Sequence, residues 1–265
     1  MSLFEIESVS FQYGRNLVID GLNLAVGTGG ATALLGPNGS GKSTLLKLLL
    51  GLLQPHRGSI RLEGRDLAKI PRRELARLVA YVPQVHREAF GYTVFDVALM
   101  GRMPHTSFFS RYSVKDKAVV HDALRRLEIA HLENRPYTQI SGGERQLTLI
   151  ARALVQGARI FIMDEPSNSL DYGNQIRLLE RIGGLADDGY TFLFSTHHPD
   201  HAMAIADRVV MMKKGKIVHD GAPQATITAG TLAELYGVSS QLLQAAGAGS
   251  CTIPDLRSRA ARSTN

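Results

Sequence analysis

The chain has 265 residues, of which 44% are hydrophobic and one is a cysteine, and its formal net charge is +6. This length suits one large domain or one domain with an inserted subdomain, and a single cysteine excludes an internal disulfide. No stretch approaches the roughly 20 apolar residues of a membrane span, and no secretory signal is expected from the first residues. The basic balance is typical of a solvated surface, and without an RNA-binding sheet motif or zinc module we expect no nucleic-acid partner.

The first third of the chain combines strands with a glycine-rich loop. Residues 3–11 alternate apolar and polar side chains, which predicts a half-buried strand, and residues 31–35 form a short apolar strand after a glycine turn. A helix is expected from residue 42 to about residue 50. Short strands follow in residues 58–82, together with a helix opened by Pro71.

The middle of the chain has a helical pattern, and in the last third predicted strands and helices alternate again. Helices are expected over residues 93–102 and from a capping box at Ser113 to about residue 129. Apolar strands are then predicted over 159–163, 190–195 and 208–212, with helices over 171–182 and 199–206. Such alternation predicts an α/β fold with a mostly parallel sheet, helices on both faces, and an antiparallel part at the N-terminus.

The helical segment interrupts the α/β pattern and therefore divides the chain. We expect a core made of residues 1–84 and 158–221, a helical insertion at 85–157, and a small C-terminal extension at 222–265. A hairpin turn is predicted at residues 213–216, and the extension is expected to carry one clear helix near residues 231–236.

One loop matches the pattern G-x-x-x-x-G-K-[ST] in full and lies between an apolar strand and a helix. Its residues and the one that follows are Gly36, Pro37, Asn38, Gly39, Ser40, Gly41, Lys42, Ser43 and Thr44. Glycines let backbone N–H groups turn toward phosphates, and a helix N-terminus adds positive potential. Lys42 is predicted to reach the β- and γ-phosphates of a nucleotide, and Ser43 to ligate Mg²⁺. The strand and helix on either side argue against a plain glycine turn.

Two acidic residues, Asp164 and Glu165, follow four apolar residues. This order places them at the exit of a buried strand, where ligands bind in such sheets. Asp164 is predicted to hold Mg²⁺, and Glu165 to act as general base on the attacking water or to orient it. The alternative is a solvated acidic pair at the start of a loop, which the phosphate loop upstream disfavours.

The segment Ser141-Gly142-Gly143-Glu144 is a capping box ahead of an amphipathic helix. A capped helix that begins with two glycines also presents N–H groups to an anion, because no side chain blocks the approach. One chain does not need two phosphate sites for one ATP. The second site is therefore predicted to serve the nucleotide of another subunit.

Over nearly its whole length the chain resembles the ATPase subunits of ATP-binding cassette (ABC) transporters. The resemblance rests on the order of the phosphate loop, Gln84, Ser141-Gly142-Gly143-Glu144-Arg145, Asp164-Glu165, Ser169-Leu170-Asp171 and His197. Ile140, Glu144 and Ser167 depart from the family's commonest residues. Ile140 keeps the apolar character and Glu144 keeps the capping geometry, so the assignment stands.

The resemblance implies roles for residues that spacing alone does not explain. Gln84 would sense Mg²⁺ and the membrane partner, Asp171 would lie in a loop that contacts the second subunit, and His197 would contact the γ-phosphate. With Glu165 and Lys42, His197 would complete the catalytic group. Tyr13 would stack on adenine, although an aromatic residue at a strand end is as often part of the core.

Residues 97–105 and 232–238 are similar to segments of importers of metal chelates. The resemblance implies ATP and Mg²⁺ as cofactors, a head-to-tail homodimer, two transmembrane permease subunits, an external substrate-binding protein, and a place at the cytoplasmic face of the inner membrane. The expected cargo is an iron-siderophore, haem or cobalamin. A molybdate- or tungstate-type importer, an exporter ATPase and a non-transport ABC ATPase of DNA repair or translation stay open as alternatives.

Two other interpretations are disfavoured. Residues 197–201 contain three histidines and an aspartate, but no cysteine or second acidic cluster lies nearby in the sequence, and His197 already has a role by resemblance. The phosphate loop does not have the G-x-G-x-x-G spacing of a dinucleotide-binding loop.

Overall fold

The structure is a computed structural model that describes residues 2–84, 91–106, 111–168, 170–241, 253 and 256. Its strands are β1 (Ser2–Tyr13), β2 (Asn16–Gly27), β3 (Gly30–Leu35), β4 (Arg57–Leu62), β5 (Arg65–Asp66), β6 (Val79–Val82), β7 (Ile160–Asp164), β8 (Thr191–Thr196), β9 (Arg208–Lys213) and β10 (Lys216–Gly221). Its α-helices are α1 (Lys42–Leu49), α2 (Arg72–Leu78), α3 (Val94–Leu99), α4 (Val114–Arg126), α5 (Gly142–Val155), α6 (Tyr172–Asp187), α7 (Pro199–Ile205), α8 (Pro223–Thr226) and α9 (Ala229–Tyr236).

The strands form two sheets. The smaller sheet is antiparallel and has the order β2-β1-β4-β5. The larger has the order β10-β9-β3-β8-β7-β6, and it is parallel except for the edge strand β10. The predicted α/β fold, with a mostly parallel sheet and an antiparallel N-terminal part, is therefore confirmed.

The larger sheet separates two hydrophobic clusters, because successive side chains of a strand point to opposite faces. Leu34 of β3 packs with the leucines of α1 and the antiparallel sheet. Its neighbours Ala33 and Leu35 pack with α5, α6 and α7. In β7, Ile162 and Phe161 divide between the same two clusters. Helices thus cover both faces, as the sequence pattern predicts.

Register brings the functional segments to one edge of the sheet. Leu35 at the end of β3 pairs with Thr196 of β8, and Asp164 at the end of β7 pairs with Ser195. In parallel strands these are all carboxyl ends, so the phosphate loop, the acidic pair and the loop after β8 emerge side by side.

Several element predictions were wrong in detail. The twelve-residue strand β2 was not predicted at all. The helix expected over 93–102 ends as an α-helix at Leu99 and continues as a 3₁₀ turn to His105. The helix from Ser113 ends at Arg126, earlier than expected. Pro71 is the N-cap of α2 and does not lie in its first turn.

The described part of the C-terminal extension contains two helices, α8 and α9, where one was predicted. The predicted hairpin turn is confirmed, since β9 and β10 pair antiparallel with Lys213 opposite Lys216. Ser169, Cys251 and residues 85–90 of the helical segment lie outside the described residues. Within the described ranges, no helix is long and apolar enough to span a bilayer.

Candidate functional site

The phosphate loop joins β3 to α1 in a conformation that two glycines make possible. Gly41 is the N-cap of α1 at φ 105°, a left-handed conformation, and no side-chain hydrogen bond caps this helix. A Cβ on Gly36 would lie 2.3 Å from the carbonyl oxygen of Met212, which is part of the backbone and cannot turn aside. The loop therefore stays closely packed while the first N–H groups of α1 receive no acceptor from a capping side chain.

Lys42 lies inside this loop and is only 5% exposed. Its Nζ donates to the backbone oxygens of Gly36 at 2.6 Å and Pro37 at 3.1 Å. Burial lowers the pKa of Lys42, and the nearby carboxylates of Glu165 and Asp164 oppose that shift. A cation held by neutral carbonyls beside two carboxylates is suited to bind a multiply charged anion together with a metal ion.

Ser40 provides a test of whether the loop suits a phosphate group. Its hydroxyl is buried, and no hydrogen-bond partner for it occurs in the described part of the chain. An unpaired buried hydroxyl is costly unless a ligand or water satisfies it. The loop thus offers a side-chain donor and uncapped backbone donors around Lys42, which fits a nucleotide phosphate.

Asp164 ends β7 and is 7% exposed. Its Oδ1 accepts hydrogen bonds from the hydroxyl of Ser43 at 3.0 Å and from that of Ser195 at 2.6 Å. The carboxylate and the Ser43 hydroxyl are oxygen ligands of the kind that Mg²⁺ prefers. Their contact fits the predicted metal site.

Glu165 follows in a left-handed backbone conformation at φ 45°. Its Oε2 accepts from Gln84 Nε2 at 3.2 Å and from Asn168 Nδ2 at 3.1 Å, while its backbone N–H donates to Ser195 Oγ at 2.9 Å. The Nδ1 of His197 lies 3.3 Å from Oε1, within ion-pair distance but without hydrogen-bond geometry. The structure therefore brings Gln84, Glu165 and His197 together, and their roles stay predictions.

The second predicted anion site lies at the start of α5. Ser141 caps this helix, because its Oγ accepts from the N–H of Glu144 at 3.3 Å while its own N–H donates to Glu144 Oε2 at 2.7 Å. That backbone hydrogen bond is the main cause that lowers the pKa of Glu144. Ser141 and Gly142 are exposed, and a Cβ on Gly143 would lie 2.8 Å from Asn174 of α6.

Asp171 lies near this second predicted anion site, because it contacts the same residue, Asn174, that adjoins Gly143. It caps α6, accepting from the backbone N–H of Asn174 at 2.9 Å and from its side chain at 2.6 Å, and these hydrogen bonds lower its pKa. A cleft of about 320 Å³ runs from Ser141 past Asn174 to Arg177. This cleft is lined by no residue of the phosphate loop, so the two predicted anion sites are separate.

Tyr13 ends β1 with 46% of its surface exposed and an edge-to-face contact to Phe11 at 4.9 Å. It is therefore not part of the core, and its stacking on adenine stays a prediction. Thr44 is buried in the first turn of α1, whereas Asn38 and Gly39 are exposed at the tip of the phosphate loop.

Sequence reasoning missed two residues of the Glu165 group, Ser195 and Asn168. Ser195 contacts both acidic residues, and Asn168 hydrogen-bonds Glu165 across a turn. A polar residue at the end of the apolar strand β8, two residues before His197, is the signal that could have revealed Ser195.

The three histidines after β8 do not form a metal cluster. Among the described residues, no group of three or more histidine, cysteine or acidic side chains is arranged to hold a metal ion. His201 is 3% exposed, and its ring nitrogens lie 3.0 Å from Ser167 Oγ and 3.3 Å from Gln175 Oε1. Burial, followed by the nearby His198, lowers the pKa of His201 to about 4.

A glycine loop around a buried lysine, next to a strand that ends in two carboxylates, defines a P-loop ATPase. The family described as ABC transporter matches residues 19–168, and the chain belongs to that family. It is an ATP-binding, ATP-hydrolysing member of the ABC class.

An uncharacterized ABC transporter ATP-binding protein of Haemophilus influenzae is 40% identical over 91% of this chain and 92% of its own length. The iron(3+)-hydroxamate import ATP-binding protein FhuC of Bacillus subtilis is 31% identical over 92% of this chain and 91% of its own. The solved structure of a putative metal-chelate type ABC transporter in an inward-facing conformation matches with TM-score 0.80 and 34% identity over 89% of both chains.

Proposed function

We propose that this chain is the ATP-hydrolysing subunit of an ABC importer that takes up a metal chelate of the iron-siderophore, haem or cobalamin class. The observation that carries the ATPase part is the cluster of Lys42, Asp164, Glu165 and His197 at one edge of the parallel sheet. The cargo class is supported by the iron(3+)-hydroxamate relative and the metal-chelate type neighbour.

Lys42 and the phosphate loop would bind the β- and γ-phosphates of ATP. Ser43 and Asp164, with the side-chain amide of Gln84, would hold Mg²⁺, which when bound neutralises charge on the phosphates. Glu165 would accept a proton from the attacking water, because its carboxylate lies beside the predicted metal ligand Asp164 and is held by neighbouring amides.

The Glu165 assignment is testable with a pair of matched variants. We expect Glu165→Gln to bind ATP and to dimerise in its presence, but to hydrolyse it at least about 100-fold more slowly, because the amide cannot take the proton. Glu63→Gln is the control, since Glu63 is an exposed glutamate that also has positive φ, at 51°. Near-normal turnover in Glu165→Gln would remove Glu165 from the role of base.

Two copies of the chain would close head to tail, so that Ser141 and Gly143 of one copy reach the ATP held by Lys42 of the other. The exposure of Ser141 and Gly142 supports this arrangement, and so does the separation of the two anion sites. Closure would exclude water and complete each site, and hydrolysis would reopen it. Asp171 would lie at the same subunit contact.

The working divisions of the chain would be residues 1–84 and 158–221 for the nucleotide-binding core, 85–157 for the helical insertion, and 222–265 for the C-terminal extension. Gln84, the last core residue before the insertion, is hydrogen-bonded to Glu165 and would pass the state of the nucleotide to two permease subunits. The chain would then work at the cytoplasmic face of the inner membrane, and an external binding protein would deliver the cargo.

The cargo is tested with the chain purified together with its permease in lipid vesicles. We expect the ATPase rate to rise when an external binding protein loaded with an iron chelate, haem or cobalamin is added. A rise only with molybdate or tungstate would favour the oxyanion importer instead. Failure of the chain to associate with any permease would favour a non-transport ATPase, and association without a response to any loaded binding protein would favour an exporter.

A further inference from the structure

The C-terminal extension contacts the loop that carries His197. Tyr236 is the last residue of α9, and its hydroxyl donates a hydrogen bond to the backbone oxygen of His197 at 2.9 Å. The partners are 39 residues apart in the chain. This contact gives the segment at residues 232–238, which sequence analysis singled out by resemblance alone, a direct connection to the catalytic group.

The position of Tyr236 is fixed by the way α9 is anchored. Leu232 and Leu235 are buried in the larger core cluster, at 3% and 1% exposure. On the other side, the backbone oxygen of Glu234 accepts from Lys213, and its carboxylate lies 3.0 Å from His219 Nε2. The helix is therefore held both by the core and by the β9–β10 hairpin.

The phenol of Tyr236 is suited to donate under all ordinary conditions. Its side chain is partly buried against the core, and burial raises its pKa to about 12. The hydroxyl therefore keeps its proton at neutral and moderately alkaline pH. The bond to His197 is neutral, so pH and salt would not break it near neutrality.

A second contact joins the extension to the far end of the same segment. The N–H of Leu256 donates to the backbone oxygen of Ala204 at 3.1 Å. Leu256 and Ile253 are 4% and 3% exposed and belong to the same core cluster as Ala204. The extension thus holds the stretch from His197 through α7 at both of its ends.

The imidazole of His197 is held by packing, because its ring contacts the ring of His198 at 4.1 Å between centroids. Its Nδ1 lies 3.3 Å from Glu165 but has no hydrogen-bond partner among the described residues. The neighbouring backbone N–H of His198 is held by Thr196 Oγ1 at 3.0 Å. A shift of the His197 backbone would carry the imidazole away from Glu165, and misplacement of a catalytic group lowers the rate.

We propose that Tyr236 is a positioning residue of the ATPase, which places His197 and so makes the rate of hydrolysis depend on the C-terminal extension. The proposal rests on the role assigned to His197 above. The alternative is that the hydrogen bond only anchors the extension, in which case its loss would affect stability without affecting turnover.

The test compares Tyr236→Phe with Tyr190→Phe in the full-length chain. Tyr190 is the matched control, since its hydroxyl also has a partner, Arg126 at 3.2 Å. We expect Tyr236→Phe to lower kcat about fivefold with KM for ATP unchanged. This is the factor in rate that corresponds to the free energy of one ordinary hydrogen bond. Tyr190→Phe should keep the wild-type rate.

A double-mutant cycle separates positioning from structure. In a His197→Ala background, Tyr236→Phe should cause no further loss of the residual rate, because its effect acts through the imidazole. An equal loss in both backgrounds, or an unchanged kcat with a lower melting temperature, would overturn the proposal. If His197→Ala itself hydrolyses ATP normally, it is the assigned role of His197 that fails.

Discussion

The two predicted anion sites of this chain are both helix N-termini, but they are built in opposite ways. The phosphate loop leads into α1 through Gly41, and no side chain caps that helix. The segment at Ser141 leads into α5 through a complete capping box with Glu144. The first site leaves its backbone donors uncapped and buries its lysine. The second satisfies part of its own donors and exposes Ser141 and Gly142, although Gly143 is buried.

The difference shows how one structural feature, a helix N-terminus, can suit two different predicted roles. An uncapped helix start is unfavourable until an anion arrives, so the phosphate loop depends on its ligand. A side-chain cap stabilises a helix N-terminus by about 1 kcal/mol relative to an uncapped one. The start of α5 therefore keeps its conformation before a second subunit binds. A helix N-terminus that is proposed to contact ATP only in a dimer must be stable without a ligand, and the capping box provides that stability.

The largest expected effect tests the phosphate loop. Lys42→Ala should lower ATP hydrolysis at least about 100-fold, because it removes the cation at the centre of the loop. Lys47→Ala is the control, since Lys47 lies in the last turn of the same helix. Steady-state phosphate release measures both, and similar rates in the two variants would contradict the assignment of Lys42.

A smaller effect tests whether the second site serves a partner. Ser141→Arg and Lys42→Ala should each be inactive alone, but a mixed dimer should keep one intact site. An equal mixture should then recover at most about a quarter of wild-type activity, because half of the dimers are mixed. Full wild-type activity in the mixture would contradict the shared site, and each variant mixed with itself provides the baseline.

Substitution of His201 should have the smallest effect on turnover but a measurable effect on stability. The His201 ring links Ser167 after β7 to Gln175 of α6. Its folded pKa of about 4 lies below the unfolded value of about 6.5. The unfolded chain therefore binds more protons in that window, and stability is lost as pH falls from about 6.5 toward about 4.

His201→Gln should retain the polar contacts but lose this pH dependence. Urea unfolding at pH 7.5 and at pH 5 should show that wild type loses up to about 2 kcal/mol more than the variant between the two. His56→Gln, at an exposed histidine, is the control. A loss in His201→Gln as large as in wild type would mean that other groups cause the acid destabilisation.

Sequence reasoning is strongest for the candidate groups whose predicted chemistry needs fixed spacing. The phosphate loop, the acidic pair and the capping box at Ser141 are local patterns, and the structure places Lys42, Asp164 and Glu165 together at one sheet edge. The strand β2 was missed because its alternation is broken: Gly21 has φ 57°, and the pairing with β1 shifts register near Val9 and Phe11.

Contacts between distant segments could not be predicted in the same way. The hydrogen bond from Tyr236 to His197 joins residues that no local pattern relates, and Ser195 acts through the register of β7 with β8. The 3₁₀ turn after α3 also depends on tertiary packing, because a Cβ on Gly101 would lie 2.1 Å from the backbone of Arg152 in α5.

The left-handed backbone conformation of Glu165 has a consequence for engineering the stability of this protein. A glutamate at φ 45° carries a conformational cost of about 1 kcal/mol or more that a glycine there would relieve. A search for more thermostable variants would therefore be drawn to this position, and the stabilised protein would lose its proposed base. If Glu165 is the base, catalysis and folding make opposing demands on this one residue, and stability alone would then be a misleading guide to engineering this enzyme.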